Sequence, residues 1–418
     1  MIPRVLIISN TEFNLSDSNG RALGLLLQGI PNENKMQFCI HGSSVSSELI
    51  RNCYRISDFD VLKGLFKWSV KATRLMQDVS IKQSNGNKKR LKRTPIRMLA
   101  RDVLWSLKIP RLEFIKLALD FKPDIIIWQY GDSGFLAGLT RKLAVLCHAK
   151  IIIFSTEDYY FKTWNYLNKG GKSFIYRLFH KEMRFQTKKT IDIASLCICN
   201  TPHLAARFQA EFHCKTDVIM QSASDIGPKS RPNVKKRIVY TGNLGLNRHV
   251  SLIQIAETLY SIDNTIVFEI YGKTSAEIEK ALRNVPNIRF MGFVSYQEVI
   301  QVIQDSLLIV HAESFDEFYT YDLQAAFSTK IPDSLSAGIP FFLYAPANLA
   351  ETKYLQENNC AFVCTDRQNL LNKLQIALTD SIERDKIVNV ALEISKTNHN
   401  SLINQKKMVQ LLEKVSME

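Results

Sequence analysis

The sequence predicts an α/β protein built from two doubly wound domains. Its 418 residues are 46% hydrophobic and 22% charged, which is more apolar chain than a single core of ordinary size needs. Short apolar runs alternate with helix-like stretches, and this alternation is typical of parallel sheets covered by helices. Because such sheets bind ligands outside the carboxyl ends of their strands, we expect a central crevice that both Rossmann-like domains face.

The first domain is assigned to residues 1–225. Its strands are continuous apolar runs of the kind that a sheet buries on both faces. These runs lie at 4–9, 123–130, 149–155 and 195–200. Helical stretches at 134–148 and 173–191 follow two of them and are long enough for crossover connections.

The second domain is assigned to residues 237–393. A linker at 226–236 precedes it and is rich in proline and basic residues. Its predicted strands lie at 237–242, 266–272, 288–293, 307–312, 340–345 and 361–364. A terminal helix is predicted at 394–418, and it could pack back on the first domain.

The charge balance favours anionic partners. The chain carries 54 Lys and Arg against 40 Asp and Glu, a formal net charge of +14. A basic insertion at 79–101 holds eight Lys or Arg and no acid. Together with its apolar flanks it would suit a membrane surface that carries anionic lipid, whereas a solvated basic loop explains it equally well. Nucleic acid is not expected as a partner, since no recognition motif accompanies the run.

The protein is expected to be cytoplasmic. No run of about 18 uncharged apolar residues occurs, and the first ten residues turn polar too soon for a signal peptide or a membrane span. The eight cysteines show neither a CxxC spacing nor a neighbouring His cluster. We therefore expect reduced core thiols rather than disulfides or a metal site.

A phosphate site is predicted in the segment 326–346. Ser328 or Thr329 can cap a following helix, so that free backbone donors and the Lys330 ammonium would meet at one point. That combination suits a diphosphate. Asp333 lies too far into the helix for the same phosphate, but it can accept hydrogen bonds from ribose hydroxyls. The alternative is an ordinary capped helix with a solvent-facing lysine.

A glycine loop at 240–253 joins a predicted strand to a predicted helix. Gly242 and Gly245 would let the backbone approach a bulky anion, and Arg248 at the helix start could pair with phosphate oxygens. The glycine spacing differs from the dinucleotide fingerprint, so NAD is not expected.

A third motif, FMGFVSYQEV at 290–299, ends a strand at Gly292. Phe293 and Val294 offer apolar contact and backbone groups suited to the edge of a nucleobase. A plain strand-to-helix turn is the alternative.

In succession, these motifs resemble the donor half of GT-B glycosyltransferases. The segments are YTGNLG with its following Arg, YGK, MGFVSYQEV and STKIPDSLSAGIP, and they are most similar to bacterial family 4 type enzymes that build capsule, exopolysaccharide or lipopolysaccharide. The resemblance implies that the second domain holds a UDP- or GDP-linked sugar. By the same resemblance, the donor-binding residues are Gly242, Asn243, Arg248, Lys273, Phe293, Val294, Ser328, Thr329, Lys330 and Asp333.

One departure from the family pattern concerns the donor sugar. The family's pair of glutamates, eight residues apart, would fall at Ala325 and Asp333, so the first is absent and the second is shortened. The chain resembles instead a subset of these enzymes that uses a Ser-Thr-Lys arrangement.

The first domain resembles the family's acceptor domain only loosely. Loops at the top of its sheet would supply acceptor contacts, with Asn19 and Gly20 as candidates. The catalytic candidates are Asp132, Glu157 and Asp158, which follow predicted strands. A carboxylate there could act as a base toward an acceptor hydroxyl, or orient the substrate and stabilise positive charge. For Asp158, a helix-starting acid in a plain loop is the alternative.

The expected function is glycosyl transfer from the nucleotide-diphosphate sugar to a hydroxyl of a lipid-linked or saccharide acceptor, in cell-surface polysaccharide synthesis. The family implies retention of configuration. No convincing metal motif occurs, so we expect no metal and no cofactor, with cationic side chains stabilising the leaving diphosphate. The enzyme could lie on the inner face of the cytoplasmic membrane. The alternatives are a sugar-nucleotide epimerase of the same fold and a non-catalytic protein that binds a membrane surface or nucleic acid.

Overall fold

The computed structural model describes residues 2–14, 18–78, 93–168, 171, 173–223, 227 and 237–418. The chain divides into two compact units, one of Met1–Met220 with Leu402–Glu418 and the other of Gln221–Ser401. Each unit contains one large, mainly parallel sheet with helices packed against its strands. The predicted α/β class is confirmed.

The first unit begins with a strand and alternates between helices and strands throughout. Its elements are β1 (Val5–Ile8), α1 (Ser18–Leu26), β2 (Lys35–Cys39), β3 (Ser44–Ser46), β4 (Cys53–Arg55), α2 (Asp58–Lys63), β5 (Thr73–Arg74), β6 (Met76–Asp78), α3 (Pro95–Lys108), α4 (Phe114–Phe121), β7 (Ile125–Gln129), α5 (Gly134–Cys147), β8 (Lys150–Ser155), α6 (Phe174–Ile191), β9 (Leu196–Cys199), α7 (Pro202–Phe212) and β10 (Thr216–Val218).

The second unit continues the same alternation. Its elements are β11 (Arg237–Thr241), α8 (Arg248–Ile262), β12 (Val267–Tyr271), α9 (Ala276–Arg283), β13 (Ile288–Gly292), α10 (Tyr296–Gln304), β14 (Leu308–Ala312), α11 (Glu317–Asp322), α12 (Ile331–Ser336), β15 (Phe341–Tyr344), α13 (Ala350–Glu357), β16 (Phe362–Cys364), α14 (Leu370–Thr379) and α15 (Ser381–Asn398). The last helix, α16 (Ser401–Met417), belongs to the first unit from Leu402 onward.

The strand order gives each large sheet a topological switch point. The first sheet runs β10-β9-β8-β7-β1-β2-β4-β5 and is parallel except for β5. The second runs β13-β12-β11-β14-β15-β16 and is entirely parallel. Chain order reverses between β1 and β7 and again between β11 and β14. Ligands of open α/β sheets bind at the carboxyl ends of strands at such points.

Each sheet lies within its own hydrophobic core. In the first core, Ile7, Ile127 and Ile152 of β1, β7 and β8 are fully buried, and Met408 and Leu412 of α16 pack with them. The second core is built in the same way from β11, β12 and β14 against α8. The two switch points are thereby set on rigid, well-packed strands.

All ten strands that the apolar runs predict occur in the structure, but β2 is not predicted because polar residues interrupt its pattern. Lys35 is buried and donates from Nζ to the carbonyl oxygens of Leu27 and Leu49, at 3.0 and 3.1 Å. Burial lowers the pKa of Lys35 to about 8. Gln37 is also buried and donates to Ser9 Oγ at 2.8 Å. Internal partners allow these polar side chains to occupy a central strand.

The ends of two predicted helices differ from the structure. Residues 18–20, which include the predicted loop residues Asn19 and Gly20, form the first turn of α1. The stretch from 394 contains the end of α15 and all of α16, rather than one continuous helix. The break falls at His399 and Asn400.

Most of the predicted basic insertion and linker cannot be compared with the structure. Residues 79–92, 226 and 228–236 lie outside the described residues. Residues 93 and 94 precede α3, which Thr94 caps, and residues 95–101 form the first half of that helix. Among the described helices, none combines the length and the apolar character needed to cross a membrane.

Candidate functional site

The switch point of the second sheet brings a glycine loop and a buried carboxylate together. β11 ends at Thr241, and the loop that starts at Gly242 leads to Arg248, the first residue of α8. β14 ends at Ala312 and is followed directly by Glu313. Because β11 and β14 are neighbouring parallel strands, both segments leave the sheet at the same edge.

Arg248 and Glu313 form a bidentate ion pair at this edge. Arg248 Nε donates to Glu313 Oε2 at 2.8 Å, and Nη2 donates to Oε1 at 2.7 Å. Arg248 Nη1 also reaches the carbonyl oxygen of Asn243 at 3.4 Å. Ser251 Oγ donates to the carbonyl oxygen of Glu313 at 2.7 Å. The guanidinium is therefore fixed beside the glycine loop by a carboxylate that the sequence-based interpretation does not include.

Two further buried groups complete the cluster. His311, on β14, places Nε2 3.3 Å from Glu313 Oε1 and 3.6 Å from Oε1 of Glu351, the second residue of α13. Burial lowers the pKa of His311, but the two carboxylates outweigh burial and raise it above its ordinary value. Glu351 Oε2 accepts the backbone N–H of Ser328 at 3.1 Å. The cluster thus ties β14 and α13 to the Ser-Thr-Lys segment.

Lys330 lies against the glycine loop. A Cβ placed on Gly242 would be 3.2 Å from Lys330 Cε, so the lysine side chain contacts the loop. Burial and the neighbouring Arg248 guanidinium lower the pKa of Lys330, against the opposing effect of Glu313 and Asp333. Since the two cations destabilise each other, an anion bound beside them would be stabilised by both.

The prediction that Ser328 or Thr329 caps helix α12 is wrong. The N-cap position of α12 is occupied by Lys330 itself, and no side chain caps the helix. Ser328 Oγ accepts the Lys330 N–H at 3.5 Å. Ser328 and Thr329 therefore lie at the site as half-buried hydroxyls, whereas Asp333 is buried within α12.

The glycine loop is held in place by close backbone packing. A Cβ on Gly272 would lie 1.9 Å from the carbonyl oxygen of Gly242, so only glycine fits where the end of β12 meets the loop. Asn243 Oδ1 accepts the Gly245 N–H at 2.8 Å, and the Asn243 carbonyl oxygen accepts Tyr240 OH at 2.8 Å. Asn243 therefore stabilises the loop from within.

The predicted nucleobase residues lie at the end of β13. Lys273 Nζ is 4.1 Å from the ring centroid of Phe293, and both side chains are exposed. Val294 is half-buried. An exposed aromatic ring beside a cation is a surface on which a flat, electron-rich group can stack.

One group of side chains has metal-ligand geometry. The ligand atoms of His311, Glu313 and Glu351 lie within 4.8 Å of one another. Both oxygens of Glu313 already accept from Arg248, and Lys330 adds a second cation nearby. This donor set fits a guanidinium better than a divalent ion, which the two positive charges would repel.

The switch point of the first sheet carries another group of candidates. Asp132 follows β7, is buried, and accepts hydrogen bonds on Oδ2 from Arg93 Nη2 and from Tyr166 OH, the latter at 3.0 Å. The next residue, Ser133, donates to Oδ1 of Asn10 at 2.9 Å, and Asn10 follows β1. Asp132 is therefore placed at the switch point with two donors already bound.

Asp158 follows β8 and balances two cations. Arg207 Nη1 donates to Asp158 Oδ2 at 3.1 Å, and Lys162 Nζ is 3.6 Å from Oδ1. Asp158 and Lys162 are both buried. Glu157 is half-buried, and its carbonyl oxygen accepts from Ser155 Oγ at 3.0 Å. A buried carboxylate that pairs with two cations contributes to the packing of the first unit.

The predicted acceptor residues lie in the first turn of α1. Gly20 is buried, and a Cβ there would lie 2.2 Å from the carbonyl oxygen of Glu12. The close approach of helix and loop explains why glycine occurs at this position. The side chain of Asn19 lies outside the described part of the chain, so its role stays a prediction.

Asp102, on α3, is a buried acid that sequence reasoning does not select. Its Oδ2 accepts the Gly134 N–H at 3.2 Å. Burial raises the pKa of Asp102 to about 7, with Arg101 opposing the shift and Asp132 adding to it. The first unit therefore contains a carboxyl group that titrates near neutral pH.

Comparison with known proteins rests on structure. No protein-family model and no curated protein sequence matches the chain. HepE of Anabaena, solved with UDP and glucose, matches it with a TM-score of 0.65 at 10% identity, over 98% of this chain and 99% of HepE. Sucrose-phosphate synthase of Thermosynechococcus elongatus gives 0.67 at 10% identity over 99% of each chain. WaaG, a glycosyltransferase involved in lipopolysaccharide biosynthesis, gives 0.56 at 14% identity over 97% and 98%.

The chain has the GT-B fold. This confirms the fold that the succession of motifs implies, with two Rossmann-like domains. In the second domain of this GT-B chain, Gly242, Arg248 and Lys330 meet at the switch point.

Sequence reasoning does not select His311, Glu313 and Glu351. For Glu313 a signal exists, because it directly follows the apolar run 307–312 and so lies at the carboxyl end of a predicted parallel strand. Glu351 lies on a helix beyond the next strand, and only the fold brings it to His311.

Proposed function

We propose that the protein is a glycosyltransferase that moves a sugar from a UDP- or GDP-linked donor to a hydroxyl of a lipid-linked or saccharide acceptor. The observation that carries the proposal is the contact of Lys330 with the Gly242 loop beside the anchored Arg248, at the switch point of a GT-B domain. HepE, which shares the fold, binds UDP and glucose in its crystal structure.

The site suits a leaving diphosphate. As the glycosidic bond breaks, negative charge grows on the phosphate oxygen, and cations already held in place stabilise that charge without reorganising. Arg248 is held by Glu313, and Lys330 by its contact with the loop. These side chains would do what a divalent ion does in other transferases, so we propose a reaction that needs neither a metal nor a cofactor.

The remaining donor contacts are proposed from where the predicted residues lie in the second unit. We assign the nucleobase to the surface formed by Phe293, Val294 and Lys273, and the phosphate oxygens to Ser328 and Thr329. Asp333 is assigned to the ribose. Asn243, in the glycine loop, is assigned a place beside the diphosphate.

Acceptor chemistry is assigned to the first unit. Asp132, Glu157 and Asp158 are the candidate carboxylates, of which Asp158 is assigned first to balancing Arg207 and Lys162 within the unit. Asn19 and Gly20, in the first turn of α1, are the proposed acceptor residues. Asp132 has the strongest support because it lies at the switch point. We propose retention of configuration, a role in cell-surface polysaccharide synthesis, and a location on the inner face of the cytoplasmic membrane.

A panel of nucleotide sugars tests the proposal. The protein is incubated with UDP-, GDP- and ADP-linked hexoses, and release of the free nucleotide is measured with and without EDTA. We expect free nucleotide to be released from the sugars of one nucleotide class, and we expect the same release in the presence of EDTA. Thermal stabilisation by none of UDP, GDP and ADP would refute donor binding, and interconversion of the sugar without nucleotide release would indicate an epimerase.

A further inference from the structure

The solvent side of α3 is apolar. Ile96, Ala100, Val103 and Leu107 recur at spacings of four, three and four residues, which places them on one face of a helix. Ile96, Val103 and Leu107 are 61%, 53% and 69% exposed. Met98 and Trp105, on the other side, are buried. The helix therefore has an apolar stripe toward solvent in addition to the one that packs in the unit.

Helix α2 and the turn after it lie beside α3 and carry further exposed apolar side chains. Trp105 Nε1 donates to Asp58 Oδ1 at 2.7 Å, and Lys108 Nζ donates to the carbonyl oxygen of Leu65 at 2.7 Å, so α2 and the turn lie alongside α3. Trp68, just beyond the turn, is 90% exposed. The exposed apolar side chains of this region are Phe59, Leu62, Leu65, Trp68, Ile96, Val103 and Leu107, and we call them the α2–α3 surface.

Cations border the α2–α3 surface. Lys63 Nζ is 4.3 Å from the Phe59 ring centroid, and Arg111 Cζ is 5.6 Å from the Trp68 ring centroid. Lys67 and Arg97 are exposed nearby in sequence.

Residues 58–68 and 95–111, which hold α2, the turn and α3, carry six Lys or Arg against three Asp. Asp58 accepts from Trp105, and Asp60 accepts the backbone N–H of Ser57 at the start of α2. Asp102 is buried, and Glu113 accepts the Ala72 N–H. Accepting a hydrogen bond does not neutralise an acid, but the cations of residues 58–68 and 95–111 outnumber the acids there two to one, so the charge around the apolar side chains is positive on balance.

We propose that the α2–α3 surface docks on an anionic lipid bilayer. An apolar patch bordered by Lys and Arg fits a bilayer because the apolar groups enter the acyl boundary while the cations stay at the anionic headgroups. A protein partner would have to supply an acidic border around an apolar face. The purpose of docking, access to a lipid-linked acceptor, rests on the proposed function, but the surface can be tested without glycosyl transfer.

Vesicle sedimentation of the full chain is the test. Vesicles of phosphatidylcholine alone are compared with vesicles that also contain phosphatidylglycerol, at low and high salt. The triple variant Ile96→Asn/Val103→Asn/Leu107→Asn is compared with the control Ile193→Asn/Val145→Asn/Leu402→Asn. The control residues belong to the same unit and are similarly exposed, at 55%, 71% and 67%. We expect binding to anionic vesicles to fall at least about tenfold in the first variant and less than about twofold in the control.

Two further readouts separate the apolar and ionic contributions. Tryptophan fluorescence should shift to the blue on adding anionic vesicles, and Trp68→Phe should remove most of that shift. Lys63→Ala and Lys67→Ala should each weaken binding roughly fivefold.

Equal vesicle binding by the triple variant and its control would overturn the proposal, as would equal binding to neutral and anionic vesicles. A change in oligomeric mass in the triple variant alone, with no vesicle binding by the parent, would make the face an interface between copies and would also overturn it. Thermal stabilisation by UDP is measured in parallel, so failure to dock and failure to bind a donor are distinguished.

Discussion

Arg248 and Glu313 face each other across the switch point of the second sheet, joined by two hydrogen bonds of 2.8 and 2.7 Å. Arg248 is the first residue of α8, and Glu313 follows β14 directly and is only 2% exposed. The pair fastens the end of the glycine loop to the neighbouring strand. A cation in the proposed diphosphate site is thereby placed by the fold rather than by the ligand.

Removing Glu313 should destabilise the second unit. Glu313→Ala would leave the Arg248 guanidinium mostly buried without its counter-ion, at a cost of about 3–5 kcal/mol in the free energy of unfolding. Denaturant unfolding measures this loss. Glu279→Ala is the matched control, because it breaks an exposed Arg–Glu pair and should cost less than about 1 kcal/mol. Similar losses in the two variants would contradict the anchoring role.

Gly272 should not tolerate a side chain. Gly272→Ala places a Cβ against the Gly242 carbonyl oxygen, so the loop must move, and we expect a loss of at least about 2 kcal/mol together with weaker UDP binding. Gly138→Ala, in α5, serves as the control because its Cβ would meet nothing closer than the Ile109 side chain, at 3.8 Å. If calorimetry finds the same UDP affinity in both variants, the loop does not depend on this contact.

The fold could be predicted from the sequence because most of its long strands are continuous apolar runs. The predicted phosphate-binding motifs each lie within a short segment of the chain. Gly242, Arg248 and Lys330 could be selected on type and spacing alone. Their partners could not, since Glu313 and Glu351 are brought to Arg248 and His311 by strand pairing between segments far apart in the chain.

For β2 and the α2–α3 surface, too, the sequence pattern alone does not predict the structure. Lys35 and Gln37 fit a central strand only because internal carbonyl and hydroxyl groups receive their hydrogen bonds. The exposed stripe of α3 reads in sequence like part of a core. Whether an apolar residue is covered depends on neighbours that the pattern does not identify.

The stability of the first unit should depend on Asp102 between pH 4 and pH 7. The pKa of Asp102 is raised from 3.8 to about 7 in the fold, so the folded chain holds this proton more tightly than the unfolded chain. Its stabilising contribution is complete below pH 3.8 and is lost as pH rises through about 7, by up to about 4 kcal/mol. Asp102→Asn should flatten this part of the pH profile. Asp120→Asn, on the exposed side of α4, is the control, and parallel profiles for parent and Asp102→Asn would contradict the assignment.

Asp158 should prove more important for stability than for turnover. Asp158→Asn removes the buried negative charge that faces Lys162 and Arg207, and we expect a loss of about 3 kcal/mol. Adding Lys162→Met removes one of the two cations that face position 158 and should restore part of the stability. Once a transferase substrate is known, the double variant should also retain most of its turnover. A stable double variant with turnover lowered by orders of magnitude would instead make Asp158 catalytic.

Calorimetric titration of UDP into the parent protein and into Lys330→Ala tests the central claim most directly. The Lys330 side chain lies against the Gly242 loop, so removal of its ammonium group should weaken UDP binding at least about tenfold and lower turnover by about two orders of magnitude. The midpoint of unfolding should be the same in Lys330→Ala as in the parent protein. Unchanged UDP affinity in a folded Lys330→Ala variant would contradict the account.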